Sequence, residues 1–276
     1  MRHADDCAQQ SPSRLPNRLG VLGIPFSEMP SLAAAVQLVR GKIDQPNQAR
    51  AFLVSFANPM SFGLMRTSPE YRKNLGRMDL LLSDGIVGAV VARRLTGRLS
   101  ARISFDNGSL APHVWEHAAA LQRRIVLVGG QAGVAQRAAV RLRQFYPRLL
   151  IADAFDGFAP IASLLERTRR LDPDLVVCGM GMPRQEEFLA ALADSGWTGC
   201  GFTCGGYLDQ LAQRFHYYPT LVNRLNLRWL YRLAREPRRL ARRYFVDYAP
   251  FAIALLSELV FRSKNAGAPE LRYDQR

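Results

Sequence analysis

Asp84 closes the stretch Asp79-Leu80-Leu81-Leu82-Ser83-Asp84-Gly85, in which three leucines run into a polar turn. Such a run reads as a buried parallel strand that stops at Gly85, which permits a tight turn into the helically spaced apolar residues of 86–95. In an open α/β sheet that turn lies at the carboxyl edge, where ligands bind. The Asp84 carboxylate is thus placed to take a proton from a bound hydroxyl. The competing role is an ordinary helix N-cap, which contributes about 1 kcal/mol and does no chemistry. Asn58 ends the apolar run 51–57 in the same way, and before Pro59 it also fits a plain turn.

Glycine turns supply the other half of a site. Gly129-Gly130-x-x-Gly133 follows the strand-like residues 124–128 and opens a helix, so its amides suit a pyrophosphate. With Asp153 twenty residues beyond Gly133, this turn supports the alternative function, an NAD(P)-dependent Rossmann oxidoreductase. Against it, the first glycine of G-x-G-x-x-G is missing and no Tyr/Lys pair for hydride transfer stands at a strand end. Gly179-Met180-Gly181-Met182-Pro183-Arg184-Gln185-Glu186 is more specific. Its glycines admit close approach, Pro183 opens a helix at the first position, and Arg184 and Gln185 fall in the first turn. Gln185 can donate and accept where sugar hydroxyls or phosphate oxygens sit. Asp172-Pro173-Asp174 imitates a metal-holding D-x-D, but it precedes the strand 175–178 and so belongs to the amino edge.

The elements that position these residues alternate. Strands are expected at 51–57, 79–83, 124–128, 149–154, 175–178 and 199–202, separated by helical segments including 31–43, 110–121, 134–145, 161–171 and 184–193. Shorter helices are expected at 61–66 and 69–75, and 18–26 reads as a short strand or hairpin. Right-handed crossovers then give an α/β fold, a Rossmann-like doubly wound and mostly parallel sheet. The expected organisation is a disordered leader at 1–17, an α/β domain at 18–215, a basic amphipathic helical appendage at 216–264 and a disordered tail at 265–276.

Charge points to an acidic partner: 37 Lys and Arg face 23 Asp and Glu, a net +14. Arg224, Arg228, Arg232 and Arg235 recur at helical spacing and share a face, and the nearly uncharged stretch 248–261 follows them. That stretch is too short to span a bilayer but suits lying in an anionic membrane surface. No nucleic-acid-binding module is visible, so nucleic acid is not an expected partner. Cys7, Cys178, Cys200 and Cys204 are scattered without a second cysteine or histidine pair, which reads as reduced thiols in a cytosolic chain. The leader lacks the apolar core of a signal peptide.

Taken together and in order, Asn58, Asp84-Gly85, the arginine loop with Arg102, Gly129-Gly130, Gly181-x-Pro183-Arg184-Gln185-Glu186, Gly205-Gly206-x-x-Asp209, Trp229-Leu230-Tyr231-Arg232-Leu233 and Glu236-Pro237-x-Arg239 resemble the WecG/TagA/CpsF family of bacterial glycosyltransferases. The resemblance covers about 20–244. It implies metal-independent, inverting transfer from a UDP-sugar to a polyprenyl-pyrophosphate-linked saccharide in cell-surface or exopolysaccharide biosynthesis. It also implies a cytoplasmic enzyme attached peripherally to the inner face of the cell membrane, with no cofactor beyond the donor. By the same resemblance Asp84 matches the general base, and Asn58, Arg102 and Gln185 match other active-site positions. Ser55, Gly85, Gly129 and Gly130 are expected to contact substrate, as are Gly181, Arg184, Gly205, Gly206 and Asp209; Arg224 and Arg232 would face the acceptor. Two departures lean towards the exopolysaccharide glucosyltransferase branch. Phe56 stands where many members carry Thr, beside Ser55, and the loop Arg102-Ile103-Ser104-Phe105-Asp106 is one residue shorter than usual.

Overall fold

A computed structural model describes residues 15–45, 49–85, 97, 101–215, 217, 222, 228–235, 237, 246 and 248–264. The expected helix at 86–95, residues 1–14 of the expected leader, the tail, Arg98 (a second arginine of the loop that holds Arg102) and Arg224 lie outside the described residues, as do the side chains of Arg228, Arg232 and Arg235.

Alternating apolar runs and amphipathic segments produce the expected order. A hairpin of β1 (Arg18–Val21) and β2 (Ile24–Ser27) leads to α1 (Leu32–Ile43), capped by Ser31, whose hydroxyl accepts from Ala34 N. Then come β3 (Phe52–Ala57), α2 (Pro59–Thr67), α3 (Pro69–Gly76), β4 (Leu80–Ser83) and α4 (Leu110–Ala120). Strict alternation follows: β5 (Ile125–Gly129), α5 (Val134–Phe145), β6 (Ile151–Phe155), α6 (Ile161–Leu171), β7 (Leu175–Gly179), α7 (Arg184–Asp194), β8 (Cys200–Thr203) and α8 (Tyr207–Gln213). Two further helices are α9 (Arg228–Arg235) and α10 (Ala249–Lys264).

Six strands form one wholly parallel sheet in the order β4-β3-β8-β7-β5-β6. Both of its faces are covered, which is why its strands read as continuous apolar runs. Val126, Val128, Val176 and Cys178 face one layer with Leu75, Phe188 and Leu192 of α3 and α7. Ile125, Leu127, Val177 and Phe202 face the other, with Leu38, Trp115, Leu142 and Leu208 from α1, α4, α5 and α8. Each fully buried side chain of this kind contributes about 1.5–3 kcal/mol relative to exposure. After β5 and β8 the chain therefore leaves to one face, and after β3 and β7 to the other. The carboxyl ends of these four neighbouring strands are a topological switch point, where a crevice opens between diverging loops.

The C-terminal helix docks on the same body. Phe251 is buried edge-on against Phe62 of α2, with ring centroids 5.8 Å apart. Ala254 and Leu255 pack beside it, while Ile253 (67%) and Leu256 (63%) remain exposed on the opposite face. No helix among the described residues is long and apolar enough to cross a membrane.

Candidate active site

One corner of the carboxyl edge collects the polar residues singled out in the sequence. Asp84 follows β4, and its backbone N–H donates to the carbonyl of Ala57 at 2.9 Å, which sets it beside Asn58. Beyond it Arg102 forms a parallel bridge with Ser83, and Ile103 N donates to Ser83 O at 3.0 Å. The arginine loop thus extends the sheet past β4, and Asp84, Asn58 and Arg102, all half-buried, become neighbours along the backbone. Asn58 is the N-cap of α2. Its Oδ1 accepts from Met60 N at 2.9 Å, and Ser61 Oγ returns the bond from Asn58 N at 3.2 Å. Gly85 has φ +102, a conformation that favours glycine, with open space where a Cβ would stand.

The glycine turns divide by purpose. Gly129 is paired with Gly179 in the sheet, and a Cβ on it would lie 2.3 Å from the Gly179 carbonyl oxygen. Gly130 N donates to the same oxygen at 3.1 Å. Here glycine lets two backbones touch. Gly181 also has a positive φ, +75, but faces open space, and its turn is tied down by Met182, whose sulfur accepts from Ser61 Oγ and Tyr71 Oη at 3.3 Å. The substitution Gly129→Ala is expected to destabilise the fold by about 3 kcal/mol, combining strain with overpacking against backbone, whereas Gly181→Ala costs only about 1 kcal/mol of left-handed strain. Urea unfolding midpoints of the two variants measure the contrast.

Arg184 stands in the first turn of α7, but its guanidinium holds the loop after β6: Nε donates to Gly157 O at 2.9 Å, and Nη2 donates to Ala159 O. Pro183 takes the N-cap position rather than the first helical one. Gln185 is buried and its amide bridges two elements, Nε2 donating to Glu186 Oε1 at 2.9 Å and Oε1 accepting from Gly205 N at 3.2 Å. Ser55 lies beneath the crevice, where Oγ donates to Glu186 Oε1 at 2.9 Å and accepts from Thr203 Oγ1 at 3.1 Å. Gly206 caps α8, and Asp209 sits half-buried in its first turn.

The sequence offers Glu186 only as the last residue of the Gly181–Glu186 motif and gives Thr203 no role, yet the two are the core of this polar cluster. Burial pushes the Glu186 carboxyl up to about 7, against the hydrogen bonds from Gln185 and Ser55 that favour its charged form. A signal for it existed. Glu186 shares the helix face of Leu189 and Ala190, both buried, so a carboxylate interrupts an apolar stripe.

The two competing motifs are accounted for elsewhere. Asp153 stands in the middle of β6 rather than at its end, and its carboxylate accepts from Arg167 Nε at 2.9 Å, so the NAD reading loses its ribose anchor. Asp174 lies at the amino edge of β7, accepting from Arg124 N at 2.7 Å, and Pro173 O accepts from Trp197 Nε1 at 2.7 Å.

An open parallel sheet whose polar turns converge at a switch point is the architecture of α/β enzymes that bind a nucleotide or a similar ligand across the strand ends. Sequence comparison narrows this: the chain belongs to the glycosyl transferase WecG/TagA/CpsF family, whose model matches residues 19–265, and it is a glycosyltransferase. It is similar to the UDP-Gal:alpha-D-GlcNAc-diphosphoundecaprenol beta-1,4-galactosyltransferase of Shigella boydii, with 29% identity over 75% of this chain and 86% of that protein. It is also similar to the N-acetylglucosaminyldiphosphoundecaprenol N-acetyl-beta-D-mannosaminyltransferase of Bacillus subtilis (strain 168), at 29% over 75% of this chain and 79% of the relative. The enzyme of the same name from Staphylococcus aureus (strain MW2) is 22% identical over 90% of this chain and 96% of its own length.

Proposed function

We propose that this enzyme moves a sugar from a UDP-sugar to a hydroxyl of an undecaprenyl-diphosphate-linked saccharide, with inversion, using Asp84 as the general base. The observation that carries the reading is the corner where Asp84, Asn58 and Arg102 meet through the Ala57 and Ser83 backbone bonds. In a single displacement the acceptor oxygen attacks the anomeric carbon as the bond to UDP breaks, and the acceptor proton passes to Asp84. Arg102 and the helix N-termini that follow the glycine turns would stabilise the departing diphosphate. The names of the three relatives support the acceptor class, since each acts on an N-acetylglucosaminyl diphosphoundecaprenol.

Neighbouring strands lie about 4.8 Å apart, so the four intervals from β4 to β5 span roughly 19 Å. A donor laid along this edge would reach towards Gly129 and Gly130 with its nucleoside end and bring its sugar to Asp84. The acceptor lipid would arrive from a membrane at the α10 side, because α10 rests on α2, whose N-cap is Asn58. The enzyme would work at the cytoplasmic membrane surface, attached peripherally.

The test is acceptor-dependent release of UDP from a panel of UDP-sugars, with GlcNAc-diphosphoundecaprenol as acceptor. Release with one donor is expected; none with any donor would refute the reading. Transfer is also expected to persist in EDTA, because Arg102 and helix N-termini would take the place of a metal at the diphosphate. Loss on chelation with recovery in magnesium or manganese would overturn that point.

A further inference from the structure

We propose that Glu186 is a positioning residue for sugar transfer: its buried carboxylate sets the orientation of the Gln185 amide and, through it, the Cys204–Gly206 turn that the substrate meets. The proposal rests on the glycosyltransferase reading above. One amide joins α7 to the turn after β8, and its two ends are chemically different. With Nε2 donating to Glu186 Oε1 and Oε1 accepting from Gly205 N, both contacts are attractive. A flipped amide would set a carbonyl against the carboxylate and an NH2 against an N–H. The carboxylate, together with the Gly205 N–H, therefore decides which way Gln185 points. Thr203 and Ser55 complete the arrangement, a hydroxyl relay from β8 through β3 that ends on the same Oε1.

Stability does not explain a carboxyl at this place. Glu186 is 0% exposed, and its Oε2 has no hydrogen-bond partner among the described residues. No cation among the described residues pairs with it. Tyr71 faces it from α3, Cys178 from β7 and Ser55 from β3, with Thr203 of β8 behind Ser55, while α6 buries only Leu164 and Thr168. Arg184, on its own helix, is turned to the carbonyls of Gly157 and Ala159. The Glu186 carboxyl is raised from its ordinary 4.5 to about 7. Its contribution to stability is then complete below about 4.5 and is lost as pH rises through about 7. The ionised form, whose charge holds the Gln185 amide most firmly, is the form the fold tolerates less, which is the pattern of a functional group rather than a structural one.

The experiment compares full-length wild type with Glu186→Gln, a change of the same shape that cannot ionise. Wild-type kcat/KM for the UDP-sugar is expected to fall on the acid side with an inflection near 7, the value to which burial brings this carboxyl. The variant is expected to lack that inflection and to run about tenfold slower at pH 8, mostly in kcat. Between pH 5.5 and 8.5 the Tm of wild type should fall more steeply than that of the variant. Ser55→Ala, which removes one donor to the carboxylate, should move the wild-type inflection upwards. An unchanged rate and profile in Glu186→Gln would overturn the proposal alone. So would parallel losses of rate and Tm at every pH, as expected of a merely structural residue. Absence of transfer by wild type with every donor would overturn the underlying reading, and this proposal with it.

Discussion

Replacing Asp84 by asparagine is expected to lower transfer by roughly 10³-fold while leaving UDP-sugar binding within several-fold of wild type. The backbone of residue 84 is held by Ala57 O at 2.9 Å, so an isosteric side chain keeps its place at the end of β4. An amide reproduces the hydrogen bonds of a helix cap but cannot accept the acceptor proton. The two roles of Asp84 therefore give opposite outcomes. Near-normal turnover in the variant would make Asp84 a cap and send the search for the base elsewhere along the edge. Asn58 offers the internal comparison, because its Oδ1 is already committed to Met60 N and its loss should weaken α2 by about 1 kcal/mol.

The second large effect is expected at the membrane. Ile253→Glu together with Leu256→Glu should abolish flotation of the intact chain with anionic vesicles. Each side chain is more than half exposed on the outer face of α10. Burial of the two in lipid is worth about 3–6 kcal/mol together, enough to change partitioning by 10²-fold or more. The inner face, with Phe251 on Phe62, is untouched by these changes, so UDP binding should survive them. A chain cut after Leu221 is a harsher version of the experiment, since it strips Phe251 from Phe62 and uncovers part of the core layer that holds Leu75 and Phe188. Arginine attraction to anionic lipid is screened within about 8 Å at physiological salt, so wild-type flotation should weaken as salt rises. Equal flotation of wild type and the double variant would mean that this face of α10 is not the membrane contact.

What the sequence determined by itself was local. Apolar runs of strand length ending in Gly, Asn or Asp placed the six strands of the parallel sheet, because a strand buried on both faces must be apolar throughout and must end where the chain turns polar. The same punctuation located Asp84, Asn58 and the glycine turns at one edge, since alternation with helices forces every strand to point the same way. Boundaries moved by a residue or three, as at α2, which begins at Pro59 under its Asn58 cap. Tertiary structure decided which turns are neighbours and what lies beneath them. Strand order brings β3 beside β8, so Ser55 meets Thr203 across 148 residues and Glu186 across 131. Nothing local encodes those pairings. In sequence, Glu186 is an acidic residue in the first turn of a helix, where the helix dipole favours one. Only packing of α7 on the sheet turns it inward, and it is burial rather than residue type that gives its carboxyl the chemistry proposed here.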